Sequence, residues 1–241
     1  MSEFFGPAIE TFGDWAQELF DEGLEATKVL FPDATDYIES TRGYSAEYMI
    51  PLMAWILDNP QVENVVDIGF GYGTFPWMCS LAGLNVVGVN KIVRTHEFPF
   101  RVELINALDA EAGLAADLPG GEGTIYSCME VVEHNDQNML PGLSALFYRR
   151  PEWSFFTTGL AGTQGCPART PWVDMPPWDG ESEGHLGHVS GWLPEDLELL
   201  TTELGYDVVL SDIMATCAWA GQKARLVVMG ENTVVWGRID E

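Results

Sequence analysis

The chain has 241 residues, with 11 Lys and Arg against 37 Asp and Glu for a formal charge of −26, and is 46% hydrophobic. Such apolar content excludes a disordered polyelectrolyte, and the length allows one α/β domain, or two small ones, around a substantial core. The charge argues against binding nucleic acid by broad phosphate neutralisation, which needs clustered Lys and Arg, and it suits a high-salt setting or the need to stay soluble.

Residues 1–60 read as helical. Phe12, Trp15, Leu19 and Phe20 recur at three- and four-residue steps with acids between them. A second helix is predicted over 45–58, with Tyr48, Leu52, Trp55 and Ile56 on one face and Asn59-Pro60 as its end. Strands and helices then alternate: a β-branched run at 62–68, a helix at 74–82 and a strand at 84–89. Further strands are predicted at 101–105, 124–129, 153–158, 206–210 and 225–229. Helices are predicted at 137–148 and 194–204, the latter with Pro194 in its first turn. This alternation predicts a largely parallel sheet covered by helices on both faces.

Cys79, Cys128, Cys166 and Cys217 form no CxxC pair to seed a zinc or redox site, and the first two sit in apolar segments as small hydrophobes. The N-terminus carries acids where a secretory leader needs bases. The longest membrane-like run, 49–57, is about half a span and contains Pro51. The expectation is a cytoplasmic protein with no membrane segment. Residues 159–192 are rich in Gly and Pro, carry Trp172, Trp178 and Trp192, and show no periodicity, which predicts a packed lid or binding loop.

The most informative segment is Val65-Val66-Asp67-Ile68-Gly69-Phe70-Gly71-Tyr72-Gly73-Thr74. A buried strand enters a tight glycine turn, and a helix follows. Glycines let the backbone adopt positive φ and approach a ligand, and the helix start offers free N–H groups. A dinucleotide fingerprint would place its third glycine where the chain has Thr74. The acid two residues before the first glycine suits a cationic ligand better than a pyrophosphate. A glycine turn with no ligand is the bland alternative.

With this motif the sequence resembles the class I S-adenosylmethionine-dependent methyltransferases, over roughly residues 45–230. Asn85-Val86-Val87-Gly88-Val89-Asn90 looks like the family's second strand, which ends in an acid on the ribose hydroxyls; Asn90 replaces that acid and loses the charge-assisted bond. Leu108-Asp109-Ala110-Glu111 matches the acid near the adenine amine, with Asp117 the weaker candidate. Ile125-Tyr126-Ser127-Cys128-Met129-Glu130-Val131-Val132-Glu133-His134 is similar to the fourth-strand E-V-x-E-H motif of a subgroup that includes quinone-biosynthesis O-methyltransferases and many small-molecule enzymes. Residues 187–197 resemble the same subgroup's stretch of His, aromatic residue and helix start, here His188, Trp192 and Pro194.

The resemblance implies an α/β, Rossmann-like sheet of seven strands, mostly parallel with one antiparallel, its last hairpin near 208–213 and 225–229. Helices cover both faces, and a helical N-terminal extension, 1–44, precedes a single methyltransferase domain, 45–241. S-adenosyl-L-methionine is the implied cofactor. Asp67, Gly69, Gly71 and Gly73 would cradle its methionine part, Asn90 the ribose and Asp109 the adenine side, with Met129 lining the pocket. The implied activity is methyl transfer to oxygen or nitrogen of a small-molecule acceptor.

Methyl transfer from a sulfonium asks the protein mainly for orientation and exclusion of water. A base helps only where the acceptor is a protonated oxygen or nitrogen. His134, at the carboxyl end of the fourth predicted strand, is the first candidate; ordering its loop is its alternative role. His188 is the second candidate, while His185 reads as solvated and His96 carries no motif. Glu130, Glu133 and His134 with a distant histidine such as His188 repeat the ligand set of the small-RNA 3′-terminal 2′-O-methyltransferases, and would suit Mg²⁺ or Mn²⁺. The plainer reading has Glu130 shaping the cofactor pocket and Glu133 capping the next helix. An Asn/Asp-Pro-Pro-Tyr motif for amino-bearing bases is missing, and Cys166-Pro167 reverses the order of a cytosine-C5 nucleophile. Two alternatives stay open: an RNA 2′-O-methyltransferase with a divalent metal, opposed by the charge, and a non-catalytic member of the fold.

Overall fold

The computed structural model describes residues 2–92, 97–135, 139–160, 190–220 and 225–239. Two long helices open the chain: α1 (Ser2–Leu30) and α2 (Thr35–Asp58), joined by a 3-10 turn at Pro32–Ala34. In α1, Phe5, Ala8, Ala16, Leu19, Phe20 and Leu24 lie on one stripe at helical spacing and are buried. Pro32 disfavours helical geometry at Phe31 and so ends α1. The second helix starts well before the predicted residue 45, so the expected extension, 1–44, takes in α1 and the first part of α2. The 3.6-residue pattern was faint there because Tyr37, Glu39 and Ser40 interrupt it.

The remaining elements alternate. They are β1 (Asn64–Ile68), α3 (Thr74–Leu81), β2 (Asn85–Asn90), β3 (Arg101–Leu104), α4 (Ala110–Ala115) and β4 (Gly121–Met129). A 3-10 turn at Val132–His134 leads to α5 (Leu140–Leu146), a second 3-10 turn at Phe147–Arg149, and β5 (Pro151–Gly159). The chain closes with α6 (Pro194–Glu203), β6 (Asp207–Ala220) and β7 (Arg225–Arg238). Helix α4 was not predicted: at six residues it is too short for periodicity, and its signal is the Asp109 cap.

The strands form one sheet in the order β3-β2-β1-β4-β5-β7-β6. The first five are mutually parallel, and β7 runs antiparallel to both β5 and β6. The chain steps outward from β1 to β3, then returns to the other side of β1 with β4. Loops leaving β1 and β4 therefore diverge, which opens a crevice at the carboxyl ends of those strands. Strands β6 and β7 are much longer than predicted. They pair from Asp207↔Arg238 to Ala220↔Arg225, whereas β5 pairs β7 only as far as Gly159↔Asn232. Beyond that point β6 and β7 continue as a two-stranded ribbon.

Side chains alternate along a strand. Val65, Asp67, Val86, Gly88, Asn90, Ile125, Ser127, Met129, Phe155 and Thr157 thus share the face that packs under α1, α2 and α3. Val66, Ile68, Val87, Val89, Tyr126, Cys128 and Phe156 face the other way, against α5 and α6. Among the described residues no helix is long and apolar enough to cross a membrane.

Candidate functional site

The crevice begins at the glycine turn after β1. Gly69, Gly71 and Gly73 have φ of +75°, +58° and +92°. The Gly69 N–H donates to the Val89 carbonyl at 2.7 Å, tying the turn to the end of β2. A Cβ on Gly69 would sit 2.3 Å from Val131 Cγ2, so a side chain there would drive into the loop after β4. A Cβ on Gly71 would meet nothing within 4 Å, so the middle of the turn faces open space. Gly73 caps α3. Phe70 turns inward over Gly88, its ring 5.3 Å from Phe98 and 5.6 Å from Phe100.

Asp67 lies directly beneath this turn, in register with Gly88 on one side and Ser127 on the other. It is 2% exposed. Its one hydrogen-bond partner among the described residues is Ser127, whose Oγ donates to Oδ1 at 2.7 Å. Burial pushes its carboxyl up to about 7, against which the Ser127 bond pulls down. A buried carboxylate with one neutral donor is under-compensated, and a cation arriving from the crevice would supply what it lacks.

The loop after β4 separates residues that the sequence places side by side. Glu130 has φ +55°, a left-handed conformation that side chains rarely adopt. Thr157 fixes it there: the Glu130 N–H donates to the Thr157 carbonyl, and Thr157 Oγ1 donates to Glu130 Oε1, both at 2.9 Å. Burial, and then repulsion from Glu133, raises the Glu130 carboxyl well above the usual range. Glu133 points into the interior, fully buried, where Oε2 accepts from Thr158 Oγ1 at 2.9 Å and Oε1 makes no hydrogen bond. His134, the next residue, is exposed at the end of the 3-10 turn.

Among the described residues no three His, Cys, Asp or Glu side chains gather as a metal requires; His188, the fourth member of the expected set, lies outside them. The 3-10 turn leaves Glu133 buried and His134 exposed, while Thr157 binds Glu130. The expectation that Glu133 caps the following helix is corrected. The residue before α5 is Met139, with no side-chain cap, and Glu133 is bound to β5 instead.

Asn90 ends β2, half-buried, and its carbonyl accepts from the Ile105 N–H at 3.0 Å. Met129 ends β4 and is buried in the core under α1, α2 and α3. Asp109 is exposed at the start of α4, where Oδ1 accepts from the Ala112 N–H at 3.0 Å and caps the helix. Asp117 is farther off, paired with Arg101 on the surface. His96, Cys166, Trp172, Trp178, His185 and His188 lie outside the described residues. Trp192 is buried with Leu197 and Phe156 on the α5 and α6 face, so its role is packing rather than stacking on a ligand in the crevice.

Sequence reasoning missed the residues that complete the site from neighbouring elements. Ser127 faces Asp67 across the sheet, and its signal was parity: Ser127 precedes Met129 by two on the same face. Tyr48 of α2 is buried; burial raises its hydroxyl, as do the nearby charges of Glu133 and Asp67, so α2 covers this end of the sheet. Helix α1 closes against the turn itself. Thr27 Oγ1 lies 3.3 Å from Thr74 Oγ1, and a Cβ on Gly23 would come within 3.1 Å of the Thr74 carbonyl.

No protein-family model matches the chain, and no curated protein matches it in sequence. Its fold does match solved methyltransferases. An S-adenosylmethionine-dependent methyltransferase from Archaeoglobus fulgidus superposes with a TM-score of 0.53 at 16% identity, over 84% of this chain and 97% of that one. Magnesium protoporphyrin IX methyltransferase from Synechocystis PCC 6803, with bound S-adenosylhomocysteine, gives 0.52 at 12% identity, over 85% and 87%. A methyltransferase-like protein from Bacillus halodurans C-125 gives 0.53 at 12%, over 78% and 99%. At these identities the likeness is one of fold, the Rossmann-like α/β architecture of S-adenosylmethionine-dependent methyltransferases.

Proposed function

We propose that this protein transfers a methyl group from S-adenosyl-L-methionine to oxygen or nitrogen of a small-molecule acceptor. The observation that carries the reading is Asp67, a buried acid with a single neutral donor, set beneath a glycine turn whose middle faces open space. Both features fit a cofactor with a cationic amino-acid end, and fit a pyrophosphate poorly. Asp67, Gly69, Gly71 and Gly73 would hold the methionine part. Asn90 would hold the ribose, Met129 would line the pocket, and Asp109 would serve the adenine side while capping α4.

When bound, the cofactor supplies an electrophilic methyl carbon, so the chain's own residues have to orient, neutralise and exclude water. Asp67 sets a negative charge against the cationic ligand. Helices α1 and α2, which include the 1–44 extension, would shield the face of the sheet that carries Asp67 from water. His134, exposed at the end of the 3-10 turn after β4, is the candidate to take a proton from the acceptor, with His188 as a second. Methyltransfer to a small molecule agrees with the porphyrin acceptor of one structural neighbour. It also agrees with the charge of −26, which repels phosphate.

Thermal unfolding with and without S-adenosylhomocysteine tests the reading. Binding in the micromolar range stabilises the fold at millimolar ligand by on the order of 3 kcal/mol of linkage, raising the melting temperature by roughly 6–12 °C. The rise is absent in Gly71→Arg, which fills the open space above the turn. No rise with either S-adenosylmethionine or its demethylated product would remove the proposal.

A further inference from the structure

Between the α1–α2 turn and the glycine turn lies a cavity of about 470 Å³, lined by Phe31, Asp33, Tyr37 and Tyr72 among others. Its size is within the range of small-molecule sites. Tyr72 belongs to the glycine turn, between Gly71 and Gly73, and also forms one wall of the cavity. A ligand here is therefore one side chain away from the turn.

The walls are aromatic and steeply inclined. Phe31 and Tyr72 meet at 70° with centroids 5.2 Å apart, and Tyr37 meets Tyr72 at 51° and 5.7 Å. Rings set at such angles form an aromatic corner rather than a flat stack. Asp33 adds a carboxylate to the same lining. Two basic side chains of α1 and α2 are committed elsewhere: Lys28 pairs with Glu25 and Glu39, and Arg42 pairs with Asp21. Aromatic rings plus one carboxylate favour a small organic cation over a neutral or anionic guest.

We propose that this cavity binds the alkylammonium group of the methyl acceptor, held by Phe31, Tyr37 and Tyr72 with Asp33 as counter-charge. The proposal rests on the methyltransferase reading and narrows it to acceptors that carry a cationic amine. Position supports it, since the cavity and the glycine turn share Tyr72. So does the fold, since α1 is held to that turn through Thr27 and Gly23, fixing the cavity's two sides relative to each other.

The test is a calorimetric titration of the full chain with choline and with 3,3-dimethylbutan-1-ol, its neutral isostere, alongside S-adenosylhomocysteine. Choline binds in the millimolar range, and the alcohol at least about fivefold more weakly, as a cation–π site requires. Tyr37 is 45% exposed, so Tyr37→Leu leaves the core intact; it weakens choline about fivefold to tenfold, and Asp33→Asn about threefold. Both variants keep wild-type affinity for S-adenosylhomocysteine. Choline and the alcohol binding alike, or choline indifferent to both substitutions while S-adenosylhomocysteine still binds, would overturn the cation site alone. Failure of S-adenosylhomocysteine to bind the wild-type chain would instead remove the methyltransferase reading on which the proposal rests.

Discussion

Adjacent residues of β1 and β4 lead to different chemistry. Val66, Ile68, Tyr126 and Cys128 look toward α5 and α6 and are packed as core. Asp67 and Ser127 look toward α2 and form a buried polar pair in the same two strands. An apolar side chain in place of Asp67 would pack under α2 as its neighbours do and would leave no charge to desolvate. Asp67 lies beneath the turn that opens to solvent, where a ligand could complete it, whereas Glu133 is fully buried behind the other face. The other face also carries buried polar groups, among them Ser154 and the Glu133–Thr158 pair, and that pair ties the loop after β4 to β5.

Substitutions break or sharpen this contrast. Gly69→Val has the largest effect, because a β-branched side chain at φ +75° also collides with Val131. A loss of about 3 kcal/mol or more is expected, read as a collapse of the thermal midpoint. Gly71→Ala has room and carries only the strain of positive φ, about 1 kcal/mol. Equal losses at the two glycines would contradict the open-space reading of the turn.

Asp67→Asn tests the polar face. The folded carboxyl is held near 7 against an ordinary 3.8. Between those values the folded state binds more protons than the unfolded state, so the acid's contribution to stability falls as pH rises from about 4 to about 7. The drop is on the order of 3 kcal/mol. Asp67→Asn has no such drop, so the variant gains on the wild type in denaturant melts as pH rises. Parallel pH profiles for the two proteins would show that Asp67 is not strained by burial.

On the opposite face, Thr158→Val removes the donor to Glu133 and leaves that carboxylate oxygen buried and unbonded. The expected cost is about 2 kcal/mol of stability with unchanged affinity for S-adenosylhomocysteine. The smallest effect is at Asp109→Ala, which loses the α4 cap for about 1 kcal/mol. Affinity for S-adenosylhomocysteine measured on the same variant separates its two roles. A several-fold loss supports a place beside the adenine, and no change leaves Asp109 as a cap only.

Much of the parallel sheet was legible because buried β-branched runs such as Val65-Val66 and Val86-Val87 carry their own signal, and the glycine turn announced itself by composition. The full length of the β6–β7 ribbon was not, since the backbone pairing of a hairpin carries no sequence signal of where it stops. Within the site, Asp67 and the glycines were readable from local spacing. Ser127 and Tyr48 were not, because they come to Asp67 from a strand paired in register and from a helix lying across the sheet. Glu130, Glu133 and His134 were read as ligands from a resemblance that also needs His188, which lies outside the described residues; the 3-10 turn buries Glu133 and exposes His134.

The most direct test of the account is the proton balance of cofactor binding. Titrations of S-adenosylmethionine at pH 7, in buffers of different ionisation enthalpy, report protons released per ligand bound. With Asp67 near 7 and half-ionised in the free protein, a cationic ligand that completes its ionisation releases about half a proton at pH 7. Asp67→Asn releases none and binds more weakly. Tight binding with no proton release, identical in the wild type and in Asp67→Asn, would contradict the claim that this buried acid is the cofactor's charge partner.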